Sequence, residues 1–176
     1  MRKILIFLFS ILLLTACNST TSPKNEVQKL FLNYNSLSSD LLIQLDSVID
    51  SEELTIKEKD KYKEVLKRQY EDLKYKIKDE VVDDDNAVVT VGIEVYNLAK
   101  VIKDAEDYMN TNIEQFYIEG KFSNELFWDY KLDKMYNTNE RIKYDLELTL
   151  TKIDNKWVLD ELLESNRQKI HGLFNE

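Results

Sequence analysis

Apolar side chains recur along this chain with two different periods, and the change of period divides it into elements. Over residues 27–49 they fall on a period of 3.6, the spacing of one face of an α-helix. The spacing predicts one long amphipathic helix, or two helices separated near residues 36–40, where helix-favouring residues are scarce. A further helix is predicted from Thr55, because Thr55 and Glu58 form a capping-box pattern. Its apolar stripe consists of Tyr62, Val65, Leu66 and Tyr70.

The period changes to two over residues 73–78 and 89–95, which is typical of strands with one buried and one solvated face. The acidic segment 83–86 between them predicts a turn, so these two strands form a hairpin. Residues 142–150 alternate most clearly, and a short turn leads from them into a last strand at Trp157. This second alternating region predicts a second hairpin.

Residues 97–139 interrupt the strand pattern, and their apolar stripes predict two helices, the second capped by Ser123. A last helix is predicted around residues 161–174. Its apolar side consists of Leu163, Ile170 and Phe174. The chain is therefore expected to be an α+β protein in which N-terminal amphipathic helices pack on a four-stranded antiparallel sheet, with a helical insertion between the two hairpins and a C-terminal helix.

The first residues form a separate segment. Arg2 and Lys3 precede an apolar run over residues 4–14, which spans about 16 Å as a helix. A bilayer core is about 30 Å thick, so the run is too short to cross it and fits the apolar region of a signal peptide. The segment ends in Leu14-Thr15-Ala16-Cys17, which resembles the lipobox of bacterial lipoproteins at all four positions.

The resemblance to bacterial lipoproteins implies that the chain is cut before Cys17 and that the sulfur of Cys17 carries a diacylglyceryl group. In that family the new N-terminus can also receive an acyl chain such as palmitate. We therefore expect a cleaved signal peptide over residues 1–16, a lipid-anchored tether over residues 17–25 and a single α+β domain over residues 26–176. The expected location is the extracytoplasmic face of the cell membrane. An ordinary cleaved signal peptide that leaves a free thiol is the alternative.

The net negative charge of the chain disfavours negatively charged partners. Without residues 1–16 it has 22 basic and 33 acidic residues, a net charge near −11. Such a chain is repelled by anionic lipid, so the lipid on Cys17, rather than a basic patch, is expected to hold it to the membrane. Nucleic acid is not an expected partner, because nucleic-acid binding needs a basic footprint.

The sequence contains no pattern that indicates catalysis, a cofactor or a metal. His171 is the only histidine, no nucleophile motif accompanies it, and it is expected at a helix end near the last carbonyl groups. The acidic segment 83–86 does not fit an EF-hand, because the fifth and sixth positions of that loop are Ala87 and Val88. We expect no catalytic residue, no metal site and no cofactor.

The closing hairpin resembles that of cystatin-like, nuclear-transport-factor-like domains, on the residues from Leu148 through Asn155-Lys156-Trp157. The whole chain is also similar to lipoproteins of Gram-positive bacteria, a family that supplies no activity. Curved sheets of the cystatin-like class can enclose an apolar pocket with their helices. Aromatic residues are the candidates for such a pocket or, alternatively, for core packing: Tyr75, Tyr96, Trp128, Tyr144 and Trp157.

Three functions fit these observations, and the third, besides the two that follow, is a purely structural or interaction role such as regulation of an envelope complex. The first is a non-enzymatic, membrane-anchored domain that binds a small apolar ligand or a protein partner. The alternative is an enzyme that uses a cone-shaped apolar cavity, as relatives of ketosteroid isomerase do. Such an enzyme requires a buried Asp or Glu and a Tyr donor in the same apolar cavity.

Substitution Cys17→Ser removes the sulfur that the lipobox resemblance assigns to the lipid. We expect the variant to leave the membrane fraction or to remain unprocessed, because no other anchor is predicted. Fractionation of cells and the size of the chain on a gel measure the two effects. Normal processing together with membrane association of the variant would contradict the lipobox assignment.

Overall fold

A computed structural model describes residues 22–175 of the chain, so the predicted signal peptide and Cys17 lie outside the described residues. Its helices are α1 (Pro23–Asn35), α2 (Ser39–Asp50), α3 (Ile56–Glu71), α4 (Leu98–Thr111), α5 (Asn124–Asn137) and α6 (Glu164–His171). Its strands are β1 (Lys74–Asp83), β2 (Asn86–Tyr96), β3 (Tyr117–Ile118), β4 (Lys121–Phe122), β5 (Arg141–Ile153) and β6 (Lys156–Leu159). The predicted α+β class is confirmed: three helices precede a four-stranded antiparallel sheet, a helical segment separates the hairpins, and a helix follows the last strand.

The four long strands form a sheet in the order β1-β2-β5-β6, with every neighbouring pair antiparallel. Alternate residues of the two central strands are buried on one face, as the period of two predicts. These buried residues are Ala87, Val89, Val91, Ile93, Val95, Tyr144, Leu146, Leu148 and Leu150.

Helix α1 packs on the buried face of the sheet. Val27 and Phe31 of this helix are 0% exposed, and the ring of Phe31 stacks on that of Tyr75 at a centroid distance of 4.7 Å. The helix contacts β1, β2 and β6. Because β1 and β6 are opposite edges of the sheet, α1 spans its full width.

Local capping explains where the first helices begin and end. Ser22, Ser38 and Thr55 cap α1, α2 and α3 with their side chains, and the predicted capping box of Thr55 and Glu58 is present. Of the two alternatives for residues 27–49, the structure shows two helices, separated where Leu37 has a φ of 48°. Helix α1 begins at Pro23, inside the range 17–25 that the sequence pattern assigns to the tether.

The last helix is shorter than the predicted 161–174 and runs from Glu164 to His171. Residues before it follow the sheet, since the Asp160 N–H donates to the carbonyl of Thr149 at 3.0 Å. Leu163 is consequently 67% exposed instead of buried beside Ile170, which is 0% exposed.

The segment between α4 and α5 contains a 3-10 helix and a small hairpin that the sequence pattern does not reveal. The 3-10 helix is Ile113–Phe116, and β3 pairs with β4 directly after it. Ser123 then caps α5 by accepting from the Leu126 N–H, as predicted.

A junction of Gln69 and Gly172 fixes α3, α6 and the end of β2 relative to one another. The buried Gln69 side chain accepts from the Tyr96 N–H at 2.9 Å and donates to the Ile170 carbonyl at 3.3 Å. Gly172 ends α6 with a φ of 71°, and its carbonyl accepts from the Ala99 N–H at 2.8 Å. A Cβ atom at Gly172 would overlap the carbonyl oxygen of Tyr96 and the amide of Gln69.

Alanine at Gly172 is expected to destabilise the protein by about 3 kcal/mol, the sum of a left-handed backbone cost and of overpacking at the junction. Gly120→Ala is the matched control, because Gly120 has a φ of 78° but no atom lies within 4 Å of the position that its Cβ would take. The control is expected to cost only about 1 kcal/mol. Urea unfolding of both variants measures the difference, and equal losses would show that the junction is not tightly packed.

Candidate ligand cavity

The structure brings two of the five aromatic candidates together on the buried face of the sheet. Tyr75 and Tyr144 are both register partners of Ile93 and flank it on β1 and β5. Tyr75 stacks on Phe31. The Tyr144 hydroxyl donates to the carbonyl of Phe174 at 3.3 Å, and the two rings meet edge to face.

Tyr96 lies at the end of β2 between two guanidinium groups. The Cζ atoms of Arg68 and Arg141 are 4.0 Å and 4.4 Å from its ring centroid. Its hydroxyl donates to Asp72 Oδ2 at 2.7 Å and accepts from Arg68 at 2.8 Å. These contacts place Tyr96 in a network that joins α3 to the sheet.

The two tryptophans occupy separate elements. Trp128 lies on α5, and the ammonium of Lys131 is 3.3 Å from its ring centroid. Burial lowers the pKa of Lys131 below its ordinary value. Trp157 lies half-buried on β6, with the Lys152 ammonium 5.8 Å from its ring. The assignment of the five aromatics to a ligand site stays a prediction.

A different set of residues encloses a cavity of about 200 Å³ between the helices. Apolar side chains of α2 and α3 form much of its wall, and tyrosine hydroxyls and the lone histidine supply most of its polar groups. The lining residues are Tyr34, Leu41, Gln44, Leu45, Val48, Tyr62, Leu66, Tyr70, Arg167, His171 and Leu173. We call this the tyrosine cavity.

Tyr70 and His171 form the hydrogen-bonded pair of the tyrosine cavity. The Tyr70 hydroxyl and His171 Nδ1 are 2.6 Å apart. Burial lowers the pKa of His171 to about 4, an effect that Glu164 opposes and Arg167 reinforces. Burial also raises the pKa of Tyr70, and the neighbouring Tyr34 and Tyr62 raise it further. Both groups are therefore neutral near pH 7.

Tyr34 and Tyr62 bring two further hydroxyl groups to the cavity. Burial raises the pKa of both, and the nearby charge of Arg167 partly offsets this for Tyr34. Within residues 22–175 neither hydroxyl has a hydrogen-bond partner. Arg167 is held at the cavity by ion pairs of 3.1 Å with Glu161 and 3.0 Å with Glu164. The cavity therefore combines an apolar wall with unused donors and one cation.

A second hollow, of about 330 Å³, lies between α3 and α5 and has a different character. Its lining is mainly charged, with Leu132 as the buried member. The lining residues are Asp60, Lys61, Glu64, Leu132, Asp133 and Tyr136. It is a surface groove between two helices, whereas the tyrosine cavity holds buried polar groups.

The sequence pattern does not single out the residues of the tyrosine cavity. Tyr34, Tyr62 and Tyr70 lie on apolar helical stripes, which predict a place in the core for all three. His171 does end a helix, as expected, but its side chain enters the cavity and pairs with Tyr70. The one feature of the sequence that could have indicated the cavity is the presence of three tyrosines at helical stripe positions that usually carry aliphatic residues.

Comparison with known proteins identifies the N-terminal segment. Residues 1–18 match the family model of the prokaryotic membrane lipoprotein lipid attachment site. The match includes Cys17 and all four lipobox positions, so the chain carries a lipid attachment site and is anchored to a membrane through lipid. Among the described residues no helix is both long and apolar enough to span a bilayer.

No curated protein matches the chain. Among solved structures, YcdA of Bacillus subtilis subsp. subtilis str. 168, described as a lipoprotein, is similar at 16% identity with a TM-score of 0.45. The similarity covers 88% of this chain and 48% of YcdA, so the chain spans about half the length of that protein.

The buried His171 predicts a loss of stability in acid. Its pKa of about 4 in the native state lies below the ordinary value of 6.5, so the unfolded chain binds the proton more readily between these pH values. Stability is therefore retained above pH 6.5 and falls as the pH drops towards 4. We expect a loss of about 2 kcal/mol through this group between pH 7.5 and pH 5.

Urea unfolding of the wild type and of His171→Gln at both pH values measures this contribution. Glutamine keeps a hydrogen-bonding partner for Tyr70 but does not titrate. The variant should show a smaller loss between pH 7.5 and pH 5, by about 2 kcal/mol. An identical pH dependence in the two proteins would mean that His171 is solvated and titrates normally.

Proposed function

We propose that this chain is a non-enzymatic lipoprotein of the extracytoplasmic membrane face whose domain binds a small ligand in the tyrosine cavity. The observation that carries the proposal is the pair of hydroxyls, those of Tyr34 and Tyr62, that have no partner within residues 22–175 and lie in a largely apolar cavity. A ligand that accepts a hydrogen bond from each hydroxyl gains about 0.5–1.5 kcal/mol per bond. Membrane anchoring through the lipid attachment site supplies the location.

The size and lining of the cavity limit the size and polarity of the ligand that it can hold. An apolar cavity of about 150 Å³ accommodates benzene, so a cavity of about 200 Å³ suits a molecule with one ring or a short chain. Leu41, Leu45 and Val48 favour an apolar body. The tyrosine hydroxyls and Arg167 favour an oxygen acceptor or a carboxylate at one end.

The alternative, an enzyme of the ketosteroid-isomerase-like type, requires a carboxylate as proton acceptor inside the apolar cavity. The lining of the tyrosine cavity contains no Asp or Glu among the described residues. The base that this lining does offer is His171, whose Nδ1 is already hydrogen-bonded to Tyr70. Such a lining supports binding rather than proton transfer, and membership of the cystatin-like domain class remains part of the proposal.

Ligand-observed nuclear magnetic resonance with benzoate and phenol tests the proposal on the lipidated chain in nanodiscs. We expect both probes to bind with dissociation constants on the order of 1 mM, as their few non-hydrogen atoms allow. Leu41→Trp should abolish the signal, because the indole fills the cavity from α2. Leu126→Trp is the control, since Leu126 lies exposed on α5 and does not line the cavity.

Tyr62→Phe separates recognition of the oxygen from apolar packing. Loss of one hydrogen bond should weaken benzoate binding by about tenfold while toluene binding, which uses no hydroxyl, is unchanged. Native mass spectrometry of the purified protein shows in parallel whether it retains a natural small molecule. Equal binding of the probes by wild type and Leu41→Trp would contradict the proposal.

A further inference from the structure

The position of the first described residue limits how far the domain can stand from the lipid. Ser22 caps α1, and Cys17 lies five residues before it. Five residues span at most about 18 Å even when fully extended. The N-terminal end of α1 must therefore lie close to the bilayer that holds the lipid.

The N-terminal end of α1 lies beside the turns of the two long hairpins. Lys24, in the first turn of α1, forms an ion pair of 3.1 Å with Glu80 of β1. Glu80 is three residues, or about 10 Å, from the end of its strand at Asp83. Asn86 and Thr151 are register partners, so the turn after β1 and the turn after β5 lie at the same end of the sheet.

This end of the sheet exposes several branched apolar side chains. Val81 and Val82 are 59% and 51% exposed, and Ile153 is 53% exposed. They lie within a few residues of the two turns, where strand ends normally carry polar residues. The exposed set, which we call the hairpin tips, consists of Val81, Val82, Val88, Ile153 and Val158.

We propose that the hairpin tips are a membrane-contact surface that rests on the bilayer holding the lipid of Cys17. The short connection to Cys17 brings this end of the domain to the bilayer, and burial of the tips in the headgroup region contributes apolar stabilisation. The adjoining turn contains Asp83, Asp84 and Asp85, so the surface suits zwitterionic headgroups and is disfavoured by anionic ones.

Two label positions on one strand test this orientation. Ile153→Cys places a thiol in the hairpin tips, and Lys143→Cys places one ten residues earlier on β5, about 33 Å away. The Lys143 side chain is 80% exposed, so both labels start from accessible positions. Cys17 is the only native cysteine and carries the lipid, so an environment-sensitive fluorophore reacts with the introduced thiol alone.

The lipidated full-length variants are reconstituted in phosphatidylcholine vesicles that contain a quencher on the acyl chain. We expect quenching at position 153 to exceed that at position 143 by at least about threefold, with a blue shift only at position 153. Equal quenching at the two positions, or stronger quenching at 143, would overturn the proposal. A third outcome is a label at position 153 that is shielded from water but not quenched, in a protein with the mass of a dimer. This result would assign the surface to contact with a second copy of the chain and would also overturn the proposal.

Unfolding curves check that each labelled variant is folded. If Ile153→Cys does not fold, Val82→Cys supplies a second label position in the hairpin tips. The proposal does not depend on a ligand in the tyrosine cavity, because the label experiment contains none.

Discussion

The packing of α1 against the buried face of the sheet is the contact on which the rest of the structure depends. Val27 and Phe31 are fully buried at this face, and burial of two such side chains contributes several kcal/mol, about 1.5–3 for each. A single helix thereby holds both edges of the sheet. Its two ends then fix two distinct regions: Lys24 lies beside the hairpin tips, and Tyr34 lines the tyrosine cavity.

At the C-terminal end of α1, the tyrosine cavity is formed by groups that are distant from one another in the sequence. Gln69 joins α3 to β2 and α6 through its amide, and Gly172 allows the chain to pass close to Tyr96. This junction brings Tyr70 and His171 within hydrogen-bond distance although about a hundred residues separate them. Burying a histidine in its neutral form costs stability in acid. Such a cost is common where a site is built into a fold.

The sequence predicts the elements well because burial on one face imposes a period that local patterns reveal. The capping box at Thr55, the cap at Ser123 and the alternation of β5 all depend on neighbouring residues and are confirmed. The tyrosine cavity depends on how α1, α2, α3 and α6 meet, which no local pattern records. In the sequence, Tyr62 therefore looks like any other apolar stripe residue, and Gln69 like any other polar helix residue. The late start of the last helix has the same origin, because the chain at residue 160 follows β5 instead of a helical preference of its own.

The length of α1 has a consequence for where the ligand comes from. Thirteen residues make a rod of about 20 Å, and the tyrosine cavity lies at the end of this rod that is remote from the anchor. With the hairpin tips on the bilayer, the rod acts as a spacer that raises the cavity above the headgroups. On these two proposals together, a molecule that enters the cavity arrives from the aqueous phase, and the expected ligand is a solute of the water above the membrane instead of a component dissolved in the lipid.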